Sequence, residues 1–262
     1  MEYLLICIAS LIISIITLFS GFGLGTVLMP VFAVFFPLPL AIASTAVVHL
    51  ANNIFKVLLV GKLANWNVVL KFGIPAALAS ALGAYFLGII SVWNPITTYQ
   101  IQSHQFNITV VGLSIGLIII LSSLFELVPK LSKLSFSPRF IPLGGTLSGF
   151  FGGVSGNQGV LRSAFLIKAG LSKEEFIGTS VISSVIVDVV RLIMYGWAFF
   201  SKNLIEEIPD EILGILIAAS FTAFLGSYIG SLLIHKVTFN TIQLIVGIML
   251  LMLGTAISVG LA

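Results

Sequence analysis

The chain is a series of apolar runs separated by short polar breaks, and the runs differ in length. Those at 41–60, 67–90, 106–126, 175–199, 212–234 and 240–260 are long enough to cross a bilayer as helices, which takes about 20 residues at about 1.5 Å rise each. Those at 24–36, 139–153 and 157–169 are too short. The short runs come in adjacent pairs, 3–19 with 24–36 and 139–153 with 157–169, each joined by a Gly-rich polar break. Each pair predicts a re-entrant hairpin or a discontinuous helix; ten full spans, the alternative, would strain the short segments. No run alternates apolar and polar positions in the manner of a membrane-spanning strand.

The pattern also repeats. A shift of 135 residues lays Ser20-Gly21 on Ser155-Gly156, and Ile42-Ala43-Ser44-Thr45 on Ile177-Gly178-Thr179-Ser180. The same shift lays Asn53 on Asp188, Lys56 on Arg191 and Gly61 on Gly196. After an insertion of eight, Leu82-Gly83-Ala84-Tyr85 lies on Leu225-Gly226-Ser227-Tyr228. The expected organisation is a first membrane repeat at 1–127, a cytoplasmic linker at 128–138 and a second repeat at 139–262, each repeat a hairpin plus three transmembrane helices. An odd number of spans per repeat inverts the second relative to the first, and inverted repeats with broken helices are an architecture of secondary transporters.

Composition fits a membrane setting: 58% of the 262 residues are hydrophobic and 8% charged, with a mean hydropathy of +1.19. Soluble domains carry roughly 25% charged residues, so the expected class is an all-α polytopic integral membrane protein. The single Cys7 leaves no intramolecular disulfide and no Cys-based metal site. No basic cluster suits nucleic acid. The apolar N-terminus carries Glu2 rather than a basic n-region, so it reads as mature structure rather than a signal peptide.

The net charge of +3 matters less than its placement. Lys and Arg favour cytoplasmic loops, which puts Lys130, Lys133 and Arg139 inside, with the ends near Lys62, Lys71, Lys168, Lys173 and His235-Lys236. Loop 91–105 has no Lys or Arg, and loop 200–211 has Lys202 among Glu206, Glu207, Asp210 and Glu211. Both loops are therefore expected outside, as are both termini.

Helices that leave mid-membrane hairpin tips present unpaired amides and a positive dipole end, a ready anion site. The first tip offers Ser20, Gly21, Gly23, Gly25 and Thr26; the second offers Ser155, Gly156, Asn157, Gln158 and Gly159, with Ser163 and Arg162 about one turn on. Glycine there lets backbone approach a ligand closely, although Gly and Ser also serve tight helix packing. A buried Arg162 needs a partner, which an oxyanion supplies. On the next spans, His49, Asn52, Asn53 and Lys56 share one helical face, as do Ser180, Ser184, Asp188 and Arg191. In the inverted arrangement Lys56 and Arg191 flank the midplane from opposite sides, as an anion path requires. Asp188 and Arg191 also have the spacing of an i,i+3 ion pair, and His49 is either a hydrogen-bonded packing residue or a proton carrier. The three His have no metal-ligand spacing, so neither metal nor cofactor is expected.

At these residues the chain resembles the TauE/SafE sulfite exporters, also called the four-toluene sulfonate uptake family. The resemblance rests on Ser20-Gly21-Phe22-Gly23-Leu24-Gly25 followed by Pro30, on Ser155-Gly156-Asn157-Gln158-Gly159 with Leu161-Arg162-Ser163-Ala164-Phe165, and on Gly178-Thr179-Ser180. It extends over nearly the whole chain through length, hydropathy and internal duplication. The sequence departs from the family pattern at Thr26 and at Asn157-Gln158 with Arg162. The resemblance implies a carrier, an exporter of sulfite or an organosulfonate, in a prokaryotic plasma membrane. The partners expected are a small anion, the lipid bilayer, a coupling proton and a second copy of the chain. A passive anion channel would share the same site chemistry. An intramembrane enzyme would need a nucleophile and a base, and Ser155 or Ser163 with His49 is a pairing that the spacing does not select.

Overall fold

Three glycines set one close helix contact among the described residues. The computed structural model describes residues 2–20, 24–132, 134–201, 209–233 and 239–261. Gly21, Gly23, Lys133, Lys202, Glu206, Glu207, His235, Lys236 and the side chain of Ser20 lie outside the described part. The helices are α1 (Glu2–Ser20), α2 (Leu24–Ala33), α3 (Leu38–Val60), α4 (Trp66–Ile90), α5 (Val110–Leu127), α6 (Pro129–Ser132), α7 (Ile141–Ser155), α8 (Gly159–Leu166), α9 (Lys173–Ser201), α10 (Ile212–Leu233) and α11 (Phe239–Ser258). Gly145, Gly149 and Gly153 recur every fourth residue along one face of α7. A Cβ on them would run into the carbonyl oxygens of Phe72, Ala76 and Ser80, themselves four apart on α4. Small residues at this spacing let membrane helices approach to backbone contact, where van der Waals packing replaces the hydrophobic drive that lipid removes.

The opposite face of α4 carries Leu70, Ile74, Leu78 and Leu82, all more than half exposed. In water such a stripe would be a liability; in a bilayer it is the lipid face. Five stretches are long and apolar enough to span: Leu38–Leu63, Trp66–Ile90, Val110–Leu127, Lys173–Ala198 and Ile212–Gly230. The sixth expected span corresponds to α11, whose described apolar part runs Leu244–Ser258. The protein is an all-α polytopic membrane protein. By contrast α2, α7 and α8, with 10, 15 and 8 residues, measure only about 15, 22 and 12 Å at 1.5 Å per residue, short of a hydrocarbon core of about 30 Å.

Between helices the pairing is reciprocal: α1 packs on α10 as α4 packs on α7, α3 packs on α9, and α5 on α11. Gly83 of α4 meets the Phe150 carbonyl on α7, and Gly226 of α10 meets the Leu11 carbonyl on α1. Residues 91–109 differ from the expected plain loop. Strands β1 (Thr97–Ile101) and β2 (His104–Ile108) pair antiparallel, and α5 starts only at Val110, so the expected span beginning at 106 loses its first residues to β2. Gln102 in the turn has φ 55°. Tyr99 stacks on Phe106 and donates to the Val259 carbonyl at 2.6 Å, which ties the hairpin to the end of α11.

Candidate functional site

The turn between α7 and α8 fixes the second tip. Gly156 ends α7 at φ 79°, a left-handed conformation that glycine adopts without penalty, and its amide closes on the Gly152 carbonyl at 2.9 Å. Ser155 Oγ donates to the Phe151 carbonyl and accepts from the Asn157 amide. Ser148 Oγ donates to the Gln158 carbonyl at 2.6 Å. Phe165 of α8 sits against Gly144 of α7 and stacks on Phe136, whose amide donates to the Ala164 carbonyl. The tip is therefore held from both sides before any ligand arrives.

The two tips meet. Thr26 Oγ1 donates to Asn157 Oδ1 at 3.0 Å across 131 residues of sequence. A Cβ on Gly25 would stand 3.3 Å from the Gly156 carbonyl and 3.5 Å from His49 Cδ2. The Asn157 amide nitrogen donates to Ser122 Oγ of α5. Beside this contact lies a cavity of about 110 Å³, lined by Ile118, Leu121, Phe125, Phe151, Ser122 and Asn157 among others. Apart from the last two these are apolar.

Behind the tips, Asp188 on α9 gathers four residues. Gln158 Nε2 donates to Oδ1 at 3.0 Å, and the Arg191 guanidinium reaches the same oxygen at 2.9 and 3.1 Å. His49 Nδ1 lies 2.7 Å from Oδ2, and Asn53 Nδ2 donates to Oδ2 at 3.2 Å. Asp188 and Arg191 are fully buried. Arg191 also donates to the Gly152 carbonyl, and its Nη1 would lie 3.0 Å from a Cβ on Gly156. Arg162, 2% exposed, donates from Nη1 to Ser184 Oγ, which donates on to the Ser180 carbonyl. Half-buried Lys56 interacts electrostatically with Arg162 and His49. Arg191 and Arg162 thus act on the Asp188 carboxylate, and Lys56 acts on Arg162 and His49.

Of the residues expected at the site, Gly25, Thr26, Ser155, Gly156, Asn157, Gln158, Arg162, His49, Asn53, Lys56, Ser180, Ser184, Asp188 and Arg191 fall in this connected cluster. Gly159 is buried at the first residue of α8. Three others sit apart. Asn52 accepts from Ser227 of α10 at 2.8 Å, and Thr179 Oγ1 accepts from the Asn65 amide at the turn between α3 and α4. Ser163 is half-buried on α8, where its carbonyl accepts from Ile167. The structure adds Ser122, Ser148 and Tyr195, the last donating to the Gly153 carbonyl. Tyr195 was findable, since it follows Arg191 by one helical turn. Ser122 carries no signal inside its apolar run, because only the tertiary fold brings α5 to the tip. Among the described residues no three His, Cys, Asp or Glu side chains converge to hold a metal.

Comparison with curated proteins and with solved structures gives no match. The family model for the sulfite exporter TauE/SafE matches residues 6–257, nearly the whole chain, and this integral membrane protein belongs to that family.

Proposed function

We propose that the protein is a secondary transporter exporting a small sulfur-containing anion, sulfite or an organosulfonate, from a site where the two hairpin tips meet. One observation carries the reading: Arg191 pairs with Asp188, Arg162 acts on the same carboxylate, and Lys56 acts on Arg162 and His49, so that three cations share one cluster. Like charges brought together inside the protein are expensive, and an oxyanion at the tips offsets that cost. The N-termini of α2 and α8 begin at this junction, and their amides suit the same charge. The cavity beside Asn157 gives the apolar part of an organosulfonate a place next to its anionic head.

Alternating access is supported by where the bonds run. Thr26–Asn157, His49–Asp188 and Asn53–Asp188 all join residues 1–127 to residues 139–262, so rocking one half on the other would break and remake them. The reciprocal helix pairing is what two inverted repeats joined by a linker at 128–138 would give. In this reading the tips are re-entrant, both termini face outward and the membrane is a prokaryotic plasma membrane.

The test is thermal unfolding of purified protein with sulfite, sulfate, thiosulfate, sulfoacetate, taurine, phosphate and a carboxylate. A ligand at a hundredfold excess over its Kd stabilises by about 2.7 kcal/mol. A rise with a sulfur anion that Arg162→Ala removes is the expected result. No rise with any anion, in a protein that melts cooperatively, overturns the reading. Saturable counterflow in vesicles separates the carrier from a channel.

A further inference from the structure

The pair His49–Asp188 joins the two halves beside the first tip, and the anion reading gives its imidazole no part in binding. We propose that this pair takes up one proton with each bound anion, so that anion and proton occupy the site together; the inference rests on the anion-site reading and adds the coupled ion to it. The geometry assigns the proton to one atom. With Nδ1 turned to the Asp188 carboxylate at 2.7 Å, the neutral imidazole keeps its lone pair on Nε2. The Cγ–Cδ2 edge of the ring, next to Nε2, faces Gly25 of the first tip. Asn53 Nδ2 is 3.3 Å from Nε2. A proton from solvent adds to Nε2 and forms an imidazolium whose Nδ1–H remains on Asp188; no bond between heavy atoms changes.

The sign of the coupling follows from the surrounding charges. On its own helix His49 has Lys56; α9 brings Asp188, Arg191 and Tyr195, and α8 brings Arg162. The described residues of α2 and of the second tip bring no titratable side chain, and those of α10 bring Tyr228, 58% exposed. A proton on His49 thus adds positive charge beside Arg191 and Lys56, and a bound anion offsets that repulsion. Each ligand favours the other, by the same factor in both directions. A monoanion with one proton then crosses as a neutral pair.

Buried hydroxyls extend from the pair along both helices. Ser44 and Thr45 lie one turn before His49 on α3, and Ser180 and Ser183 lie on α9 within about two turns before Asp188; their oxygens have no hydrogen-bond partner among the described residues. Buried polar groups of this kind are satisfied by ordered water, and water at these positions would give the proton a way to and from the pair.

The experiment is isothermal titration of the full-length protein with sulfite and with methanesulfonate near pH 7.5, in Tris and in imidazole, whose ionisation heats differ. Sulfonate buffers are avoided as competitors. The difference between buffers reads protons taken up per anion. The expected result is an uptake of about half to one proton in the wild type, and near zero in His49→Gln with anion affinity kept within about tenfold. As a second readout on the wild type alone, the Kd for methanesulfonate, which does not titrate in this range, weakens by up to about tenfold per pH unit on the alkaline side. Anion binding with no proton uptake, uptake unchanged in His49→Gln, or a methanesulfonate Kd flat with pH overturns this inference and leaves the anion site standing. Binding of neither anion overturns both.

Discussion

At the scale of single residues, Asp188 is the hub on which the buried charges depend. Removing one partner of a buried pair costs roughly 3–5 kcal/mol, because the other charge is left unpaired. Asp188→Ala strands Arg191, which is fully buried, together with the amide of Gln158 and the imidazole of His49. A loss of about that size is expected in thermal or denaturant unfolding. Asp188→Asn keeps the shape and one acceptor oxygen, so its loss is smaller, but it removes the cluster's carboxylate charge. An oxyanion then replaces what was lost. The anion that stabilises the wild type is expected to stabilise Asp188→Asn by a larger increment, measured as the rise in melting temperature over the ligand-free variant. An equal or smaller increment would mean that anion and carboxylate do not share the same field.

At the scale of elements, the glycine ladder of α7 separates packing glycines from idle ones. Gly149 faces the Ala76 backbone, which has no flexible end to move aside, so Gly149→Ala forces the helices apart at an overpacking cost of about 1–3 kcal/mol. Gly196, exposed on α9, has nothing within 4 Å of a Cβ. Gly196→Ala therefore gains helix propensity and stabilises by up to about 1 kcal/mol. Unfolding of the two single variants should move in opposite directions. Both glycines sit in apolar helical sequence, and the order of the chain does not distinguish them. The short runs at 24–36, 139–153 and 157–169 were legible as short helices because their ends are marked by glycine and polar residues. The β-hairpin was not. Thr97 to Ile108 has strand-forming residues such as Thr, Tyr, Phe and Ile, but apolar Phe106 and Ile108 merge with the run that follows. The contacts of Tyr99 with Val259 and of Asn107 with Gly260 show what the hairpin rests on.

At the scale of the whole molecule, the polar stripes on α3 and α9 were legible because helical spacing places them on one face. The repeat matches Asn53 with Asp188 and Lys56 with Arg191, but that the two stripes touch is seen only in the bonds of His49 and Asn53 to Asp188. Thr26 and Asn157 could not be paired from sequence, since no spacing rule links residues 131 apart. The placement of Lys and Arg predicts which side each loop faces. In a Cys7→Ser background, single cysteines are placed at Ser103, Lys130, Lys168 and Asp210, all exposed positions. A membrane-impermeant maleimide applied to intact cells should label Ser103→Cys and Asp210→Cys, and reach Lys130→Cys and Lys168→Cys only after permeabilisation. Lys130 and Lys168 on one side means that α7 and α8 return to the face they left, as two helices of about 22 and 12 Å do when they turn within a layer of about 30 Å. Labelling of Lys168→Cys from outside would require the hairpin to cross, and the tips would no longer meet inside the membrane. Labelling of Asp210→Cys from the same side as Lys168→Cys would mean that α9 does not span. The cations on α3 and α9 would then not flank the site from opposite sides, and the inverted arrangement would fall with them.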